Sequence, residues 1–268
     1  MNTLPHCKAF DVHAHFNHGS PFDCPSENGR QPFELHCRDL GWLREQYAYL
    51  GILGGGFSTF ASVLEHTECI EEENDYLHAL AEKDARILQW VVIDPRQPAT
   101  FRQADRMLAS PRCLGIKIHP VYHGYDIEEY ADALFSFAAE HKTVMLMHPA
   151  KIEKMPYWAD RYPEMKLIIA HLGGMEHIDA IRRAKHGNIF TDTSGKASCL
   201  NRILEYAAET VGAEKILFGT DDYSCAFQYG RIALSCLTDE DKEKILWGNA
   251  QRLFPQALSA LAGAEEKY

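Results

Sequence analysis

A single closed (β/α)8 barrel of α/β class, the TIM-barrel arrangement, is what this sequence predicts, and three observations carry the prediction. Eight short apolar or β-branched runs recur along the chain, segments of helical periodicity separate them, and no Pro/Gly/Ser-rich linker divides the 268 residues. The runs are Ala9 to Phe16, Ile52 to Thr59, Ile87 to Asp94, Leu114 to His119, Thr143 to His148, Lys166 to His171, Asn188 to Thr193 and Lys215 to Asp221. Their connections are too long for hairpins, so the strands pair in parallel through helical crossovers. The helical segments include Ile70 to Lys83, Pro98 to Ala109, Ile127 to Glu140, Met175 to Ala184, Ser198 to Val211 and Thr238 to Phe254. The last opens on Thr238 with Asp241 three positions on, a variant of the capping box. An open doubly wound sheet would need a Gly-rich phosphate loop after its first strand, and Phe10-Asp-Val-His-Ala-His-Phe16 has no glycine. One domain over residues 1–268 is therefore expected.

Composition narrows the function classes. The chain is 46% hydrophobic with a net charge of −11, which excludes a disordered protein and opposes a nucleic-acid partner, since an acidic surface repels phosphate. No apolar run approaches the roughly 20 residues of a membrane span. The N-terminus lacks a secretory signal, so the cytoplasm is the expected compartment. Eight cysteines without a C-x-x-C pair read as reduced and mostly buried. Asn17 to Pro32 is the longest segment without periodicity and leaves the end of the first strand, as a substrate lid or a surface excursion would.

Histidine placement points to chemistry. On a regular strand His13 and His15 project to one face, Asp11 with them, while Val12, Ala14 and Phe16 face the helices. A lone H-x-H is commonly a surface pair, but here other strands also end in ligand types: strand 5 in His148, strand 6 in His171, strand 8 in Asp221 and Asp222. In a (β/α)8 barrel all of these ends open on one rim, where active sites sit. Buried imidazoles and carboxylates without partners cost several kcal/mol by order of magnitude, so their convergence argues for a metal. Lys117 and His119 share parity on strand 4 and should point inward, near a substrate carboxylate or into salt-bridged core positions. His36, His66, His78, His141, His177 and His186 read as solvated; His18 and His123 follow inward-facing strand ends and are candidate substrate contacts. Ser194 and Lys196 after strand 7 are candidates for the pocket, and Tyr223 to Arg231 for its wall.

Phe10-Asp-Val-His-Ala-His-Phe16, Met147-His-Pro149, Ala170-His-Leu-Gly-Gly174, Phe218-Gly-Thr-Asp221 and Ile245-Leu-Trp-Gly-Asn-Ala-Gln-Arg-Leu-Phe254 together resemble the amidohydrolase superfamily, most closely its amidohydrolase-related branch of decarboxylases and lactone hydrolases. The resemblance implies that His13, His15, His148 and Asp221 bind one divalent metal and that His171 stands beside it as a catalytic group, with Asp221 sharing the proton transfer. A His3Asp set suits Zn²⁺ first, with Mn²⁺, Fe²⁺ or Co²⁺ admitted. Binuclear relatives bridge two ions with a carboxylated lysine or a glutamate on strand 4; the expectation here is a mononuclear site with Lys117 unmodified. The resemblance also allows a homodimer.

The leading expectation is a hydrolase that activates water for attack on a C–O or C–N bond of a small, carboxylated substrate. The rival is a nonoxidative decarboxylase on the same site. Hydrolysis is preferred because no strand end offers an arginine, leaving Arg30 and Arg231 in loops, and because decarboxylases are expected to be longer. A non-catalytic binding protein would not need every ligand position filled, and a metal-dependent nuclease would need a strand-4 glutamate and tolerate less acidity.

Overall fold

The computed structural model describes residues 8–16, 40–64 and 67–262. Asn17 to Pro32, with His18 and Arg30, lies outside them, as do His36 and His66. Eight parallel strands, β1 (Ala9–Phe16), β2 (Ile52–Thr59), β3 (Ile87–Val92), β4 (Cys113–Ile118), β5 (Val144–Met147), β6 (Lys166–Ile169), β7 (Ile189–Asp192) and β8 (Ile216–Leu217), lie in sequence order. Helices α1 (Leu40–Leu50), α2 (Phe60–Val63), α3 (Ile70–Ala81), α4 (Pro98–Met107), α5 (Pro120–His123), α6 (Ile127–Glu140), α7 (Met155–Arg161), α8 (Met175–Arg183), α9 (Ile203–Val211), α10 (Cys225–Ala233), α11 (Asp239–Glu243), α12 (Asn249–Leu253) and α13 (Pro255–Ala262) fill the connections. The expected (β/α)8 barrel is the fold observed.

The seam between β8 and β1 closes differently from the others. β8 leaves the regular ladder after Leu217, and closure passes to Val12 N–H on Phe218 O (2.9 Å), Thr220 N–H on His13 O (3.0 Å) and a bridge between Ala14 and Asp221. The predicted strand from Lys215 to Asp221 is thus two residues of ladder followed by a tighter turn, in which Asp221 takes a positive φ of 55°.

Two apolar layers hold the barrel. The interior is filled by Phe10, Val12, Leu88, Trp90, Leu146 and Ile168 and is plugged by Trp247, Phe254 and Leu258 from the C-terminal helices. Outside, Ile116, Ile118, Leu134, Phe135 and Met145 pack strands on helices. Caps behave as their chemistry requires: Asp126 accepts from Glu128 N–H at the start of α6, and Thr238 accepts from Asp241 N–H at the start of α11. The predicted helix from Thr238 to Phe254 is interrupted by a π turn over Lys244–Gly248.

The parity assigned to strand 1 needs correction. Phe10 and Val12 point into the barrel, while Ala9, Ala14 and Phe16 pack outward. The register shifts between Asp11 and Ala14, so the pleat changes phase in the middle of the strand. Asp11 therefore does not share a face with His13 and His15. Its carboxylate accepts from Tyr47 Oη (2.5 Å) of α1, from Thr220 Oγ1 (2.5 Å) and N–H (3.0 Å), and from His13 N–H (3.1 Å). The carbonyl of Val12, at the shift, accepts the Trp90 indole N–H at 2.8 Å.

β4 carries a similar irregularity at Gly115, whose φ is +153° and where a Cβ would stand 2.0 Å from the Val144 carbonyl oxygen. This glycine lets Leu114 and Lys117 both face inward. Gly115→Ala is expected to lose about 3 kcal/mol or more, since backbone must move to admit the methyl; urea denaturation of the two proteins measures the difference.

Candidate active site

The rim at the strand C-termini holds a cleft of about 410 Å³. His13, His15, His148, His171 and Asp221 form its floor, and Phe60, Val63, Leu64, Tyr122 and Tyr223 supply an apolar, largely aromatic wall. His119, Lys196 and Asp222 also border it.

The two histidines of β1 have fixed tautomers. His13 Nδ1 donates to the Asp192 carboxylate (3.0 Å), and His15 Nδ1 donates to the Ser58 carbonyl (3.0 Å). Each neutral ring therefore has its acceptor lone pair on Nε2, that of His13 facing the Lys117 ammonium at 2.8 Å. Those two nitrogens lie 3.1 Å apart, with Asp221 Oδ1 at 3.3 Å from His15 Nε2 and 4.0 Å from His13 Nε2. Burial, and after it the Lys117 charge, lowers the His13 ring to about 3, so it is neutral at physiological pH. Two lone pairs and a carboxylate converge on one space above the Lys117 ammonium, a donor set suited to a cation. The separation matches that of nitrogens sharing one ion at ~2.0–2.1 Å, so the donors fit a divalent metal. His13, His15 and Asp221 form one group that can hold it, and His13, His171 and Asp192 form a second.

His148 and His171 occupy the same floor as a second facing pair, His148 Nδ1 and His171 Nε2 being 3.2 Å apart. His148 is not within the tight His13–His15–Asp221 group. Burial and the neighbouring His171 push its ring down to about 2, so it too is neutral. His171 has a left-handed backbone (φ 62°), held by its own N–H on Asp192 Oδ1 (3.2 Å) and by Leu172 N–H on Asp192 O (2.8 Å). Its Nδ1 meets Ser194 Oγ at 2.9 Å and lies 3.9 Å from Asp221 Oδ2.

Asp192 was not among the residues singled out from sequence. Fully buried on β7, it accepts from His13 Nδ1, His171 N–H, Ser194 N–H (2.9 Å) and the Ser194 hydroxyl. Burial alone would raise its carboxyl, but the His13 and Ser194 interactions hold it well below the usual carboxylate range. The sequence signal was present: an aspartate within an apolar strand must find donors when buried.

The remaining expectations divide. Lys117 is inward and fully buried, its Nζ 2.8 Å from His13 Nε2, yet it lies beneath the floor and does not border the cleft. Burial lowers its ammonium to about 8. His119 stacks on His148 at the cleft. Ser194 is buried against His171, and Lys196 is exposed on the rim. His123 is buried, but its Nε2 donates to the Ser62 carbonyl (3.1 Å), which ties α5 to α2 behind the wall. His177, expected in solvent, is buried with Nε2 on the Ala170 carbonyl (3.0 Å); it lies one residue before Ile178 and four before Ile181 on the apolar face of α8. Arg231 is not available to a substrate, being paired with Glu205 at 2.8 Å on α10. Of the five described cysteines only Cys225 is buried.

A family model described as Amidohydrolase matches residues 10–256. The chain belongs to the amidohydrolase family. Gamma-resorcylate decarboxylase of Polaromonas sp. (strain JS666) is 28% identical over 122 residues, 35% of this chain and 36% of that protein. The match spans about a third of that relative's length. Among solved structures, a 2,6-dihydroxybenzoate decarboxylase complexed with 2,6-dihydroxybenzoate superposes with a TM-score of 0.73 at 18% identity, over 92% of this chain and 98% of the other. A dihydroxybenzoic acid decarboxylase from Polaromonas sp. JS666 with bound manganese and 2-nitroresorcinol gives 0.71 at 17% identity, over 94% and 97%. An amidohydrolase from Burkholderia multivorans with bound zinc gives 0.70 at 17% identity, over 92% and 99%. No helix among the described residues is long and apolar enough to cross a membrane.

Asp192→Asn keeps an acceptor for His13 but removes the charge that makes Nε2 a good donor to a metal. Affinity for Zn²⁺ or Mn²⁺, read by competition with a chromophoric chelator, is expected to fall by about 10- to 100-fold.

Proposed function

We propose that this protein is a divalent-metal-dependent, nonoxidative decarboxylase of a small aromatic acid. The observation that carries the reading is the pairing, in one cleft, of the His13–His15–Asp221 donor cluster with a wall of Phe60, Tyr122 and Tyr223. The cleft, at about 410 Å³, has the volume for a single aromatic ring. The decarboxylases among the relatives support the same choice, and the manganese and zinc in solved relatives support one divalent ion without choosing between them.

This reading replaces the hydrolytic one preferred from sequence. A superposition that spans 98% of a decarboxylase chain supports the decarboxylase reading over the length argument for hydrolysis. The arginine argument loses its weight as well, since Lys196 offers a cation on the rim of the cleft.

When bound, a divalent ion supplies Lewis-acid polarisation of substrate oxygens. The chain's own groups do the rest. The aromatic wall orients the ring and excludes water, which strengthens every polar contact on the floor. Decarboxylation breaks the bond between ring carbon and carboxyl, releases CO₂ and leaves that carbon to take a proton. His171 and Asp221, whose Nδ1 and Oδ2 lie 3.9 Å apart, are placed to hold and deliver it. Ser194 fixes the His171 ring and Asp192 its backbone, and Lys117 adds positive charge beneath the floor.

A panel of hydroxylated benzoates assayed with Zn²⁺ and with Mn²⁺ should release CO₂; release of acid from lactones or amides without any CO₂ would overturn the proposal. His13→Ala should purify without metal by elemental analysis. His171→Ala should keep its metal and lose about 10²- to 10⁴-fold in turnover.

A further inference from the structure

His119 closes β4 and opens α5, and its ring is held by two neighbouring rings. It stacks on His148 (centroids 3.9 Å apart, planes at 19°) and on Tyr122 (4.5 Å, 18°), which lie side by side 6.2 Å apart. At the edge, Nδ1 accepts the Tyr122 backbone N–H at 3.1 Å. A nitrogen that accepts a hydrogen bond carries no proton, so the ring is neutral and its one N–H is on Nε2. That Nε2–H meets no protein acceptor among the described residues, on a side chain that is 4% exposed and borders the cleft. A donor held in this way is open to an acceptor that enters the cleft.

We infer that His119 is a substrate-anchoring residue, a fixed N–H donor that binds one oxygen of the aromatic substrate's anionic group. It is neither a base nor a metal donor in this arrangement, because the Tyr122 N–H occupies Nδ1 and the stack prevents the ring from turning. Pro120 follows directly and starts α5, so the chain delivers the Tyr122 amide to the ring at fixed geometry. The inference rests on the proposed function for the identity of the anion and deepens it, by naming the side chain that distinguishes a carboxylate or phenolate from a neutral ring.

Two conservative variants separate the ring's two nitrogens. Asn places an acceptor where Nδ1 stands and has no donor reaching the cleft; Gln places a donor near Nε2 and gives up the cap. Binding of benzoate, and of neutral benzamide as control, is measured by calorimetry on metal-loaded protein, with metal content and melting temperature recorded alongside. His119→Asn is expected to weaken benzoate binding by about tenfold or more, with metal content and melting temperature near those of the parent. His119→Gln is expected to melt lower and bind benzoate within a few-fold. Equal benzoate affinity in parent and His119→Asn would overturn the inference, and so would loss of metal in His119→Asn, which would make the residue part of the metal site. Failure of the parent itself to bind any benzoate would instead overturn the proposed function.

Discussion

One buried carboxylate organises this rim. Asp192 has no contact with solvent and accepts from His13 on β1, from the backbone of His171 after β6 and from Ser194 after its own strand. An anion in that position must be saturated with donors, and each donor that saturates it is thereby fixed. It selects the tautomer of His13, holds His171 in a left-handed conformation that costs ~1 kcal/mol or more, and orients the hydroxyl that meets the His171 ring. Three strand ends are set against one another through a residue that does not border the cleft.

The electrostatics follow from this arrangement. Burial pushes the His13, His148 and His171 rings toward the neutral form, which leaves the Nε2 lone pair of His13 as a donor to a cation. The buried positive charge is Lys117, directed at a histidine lone pair from below. A net charge of −11 over the whole molecule repels organic anions at long range, so capture of an acid depends on the local field of this pocket.

The fold was legible because its signal is repetitive: eight apolar runs, each followed by a helical pattern, leave little freedom for any other architecture. The ends of those runs also disclosed His13, His15, His148, His171 and Asp221, since a barrel brings all its strand ends to one rim. What could not be read was anything decided by partners distant in sequence. The phase change in β1 depends on how β2 and Trp90 receive it, so alternation alone placed Asp11 and Val12 on the wrong faces. The positive φ of His171 and of Asp221 arises from turns held by Asp192 and by the β1 backbone. His177 was misread by its polar neighbours, although Ile178 and Ile181 show which face of its helix is inward.

The π turn in the last long helical segment reaches beyond its own helix. Phe218 N–H, the first donor beyond the β8 ladder, is received by the carbonyl of Ile245 within that turn, at 3.0 Å. Three residues further on stands Asp221. The chain's C-terminal third thus works as a buttress: the helix that plugs the bottom of the barrel also receives the strand that carries the carboxylate at the top. Packing around Trp247, far from any substrate, and the position of an oxygen in the cleft are parts of one mechanical unit. Sequence changes at the closing helix would be felt as chemistry at the rim.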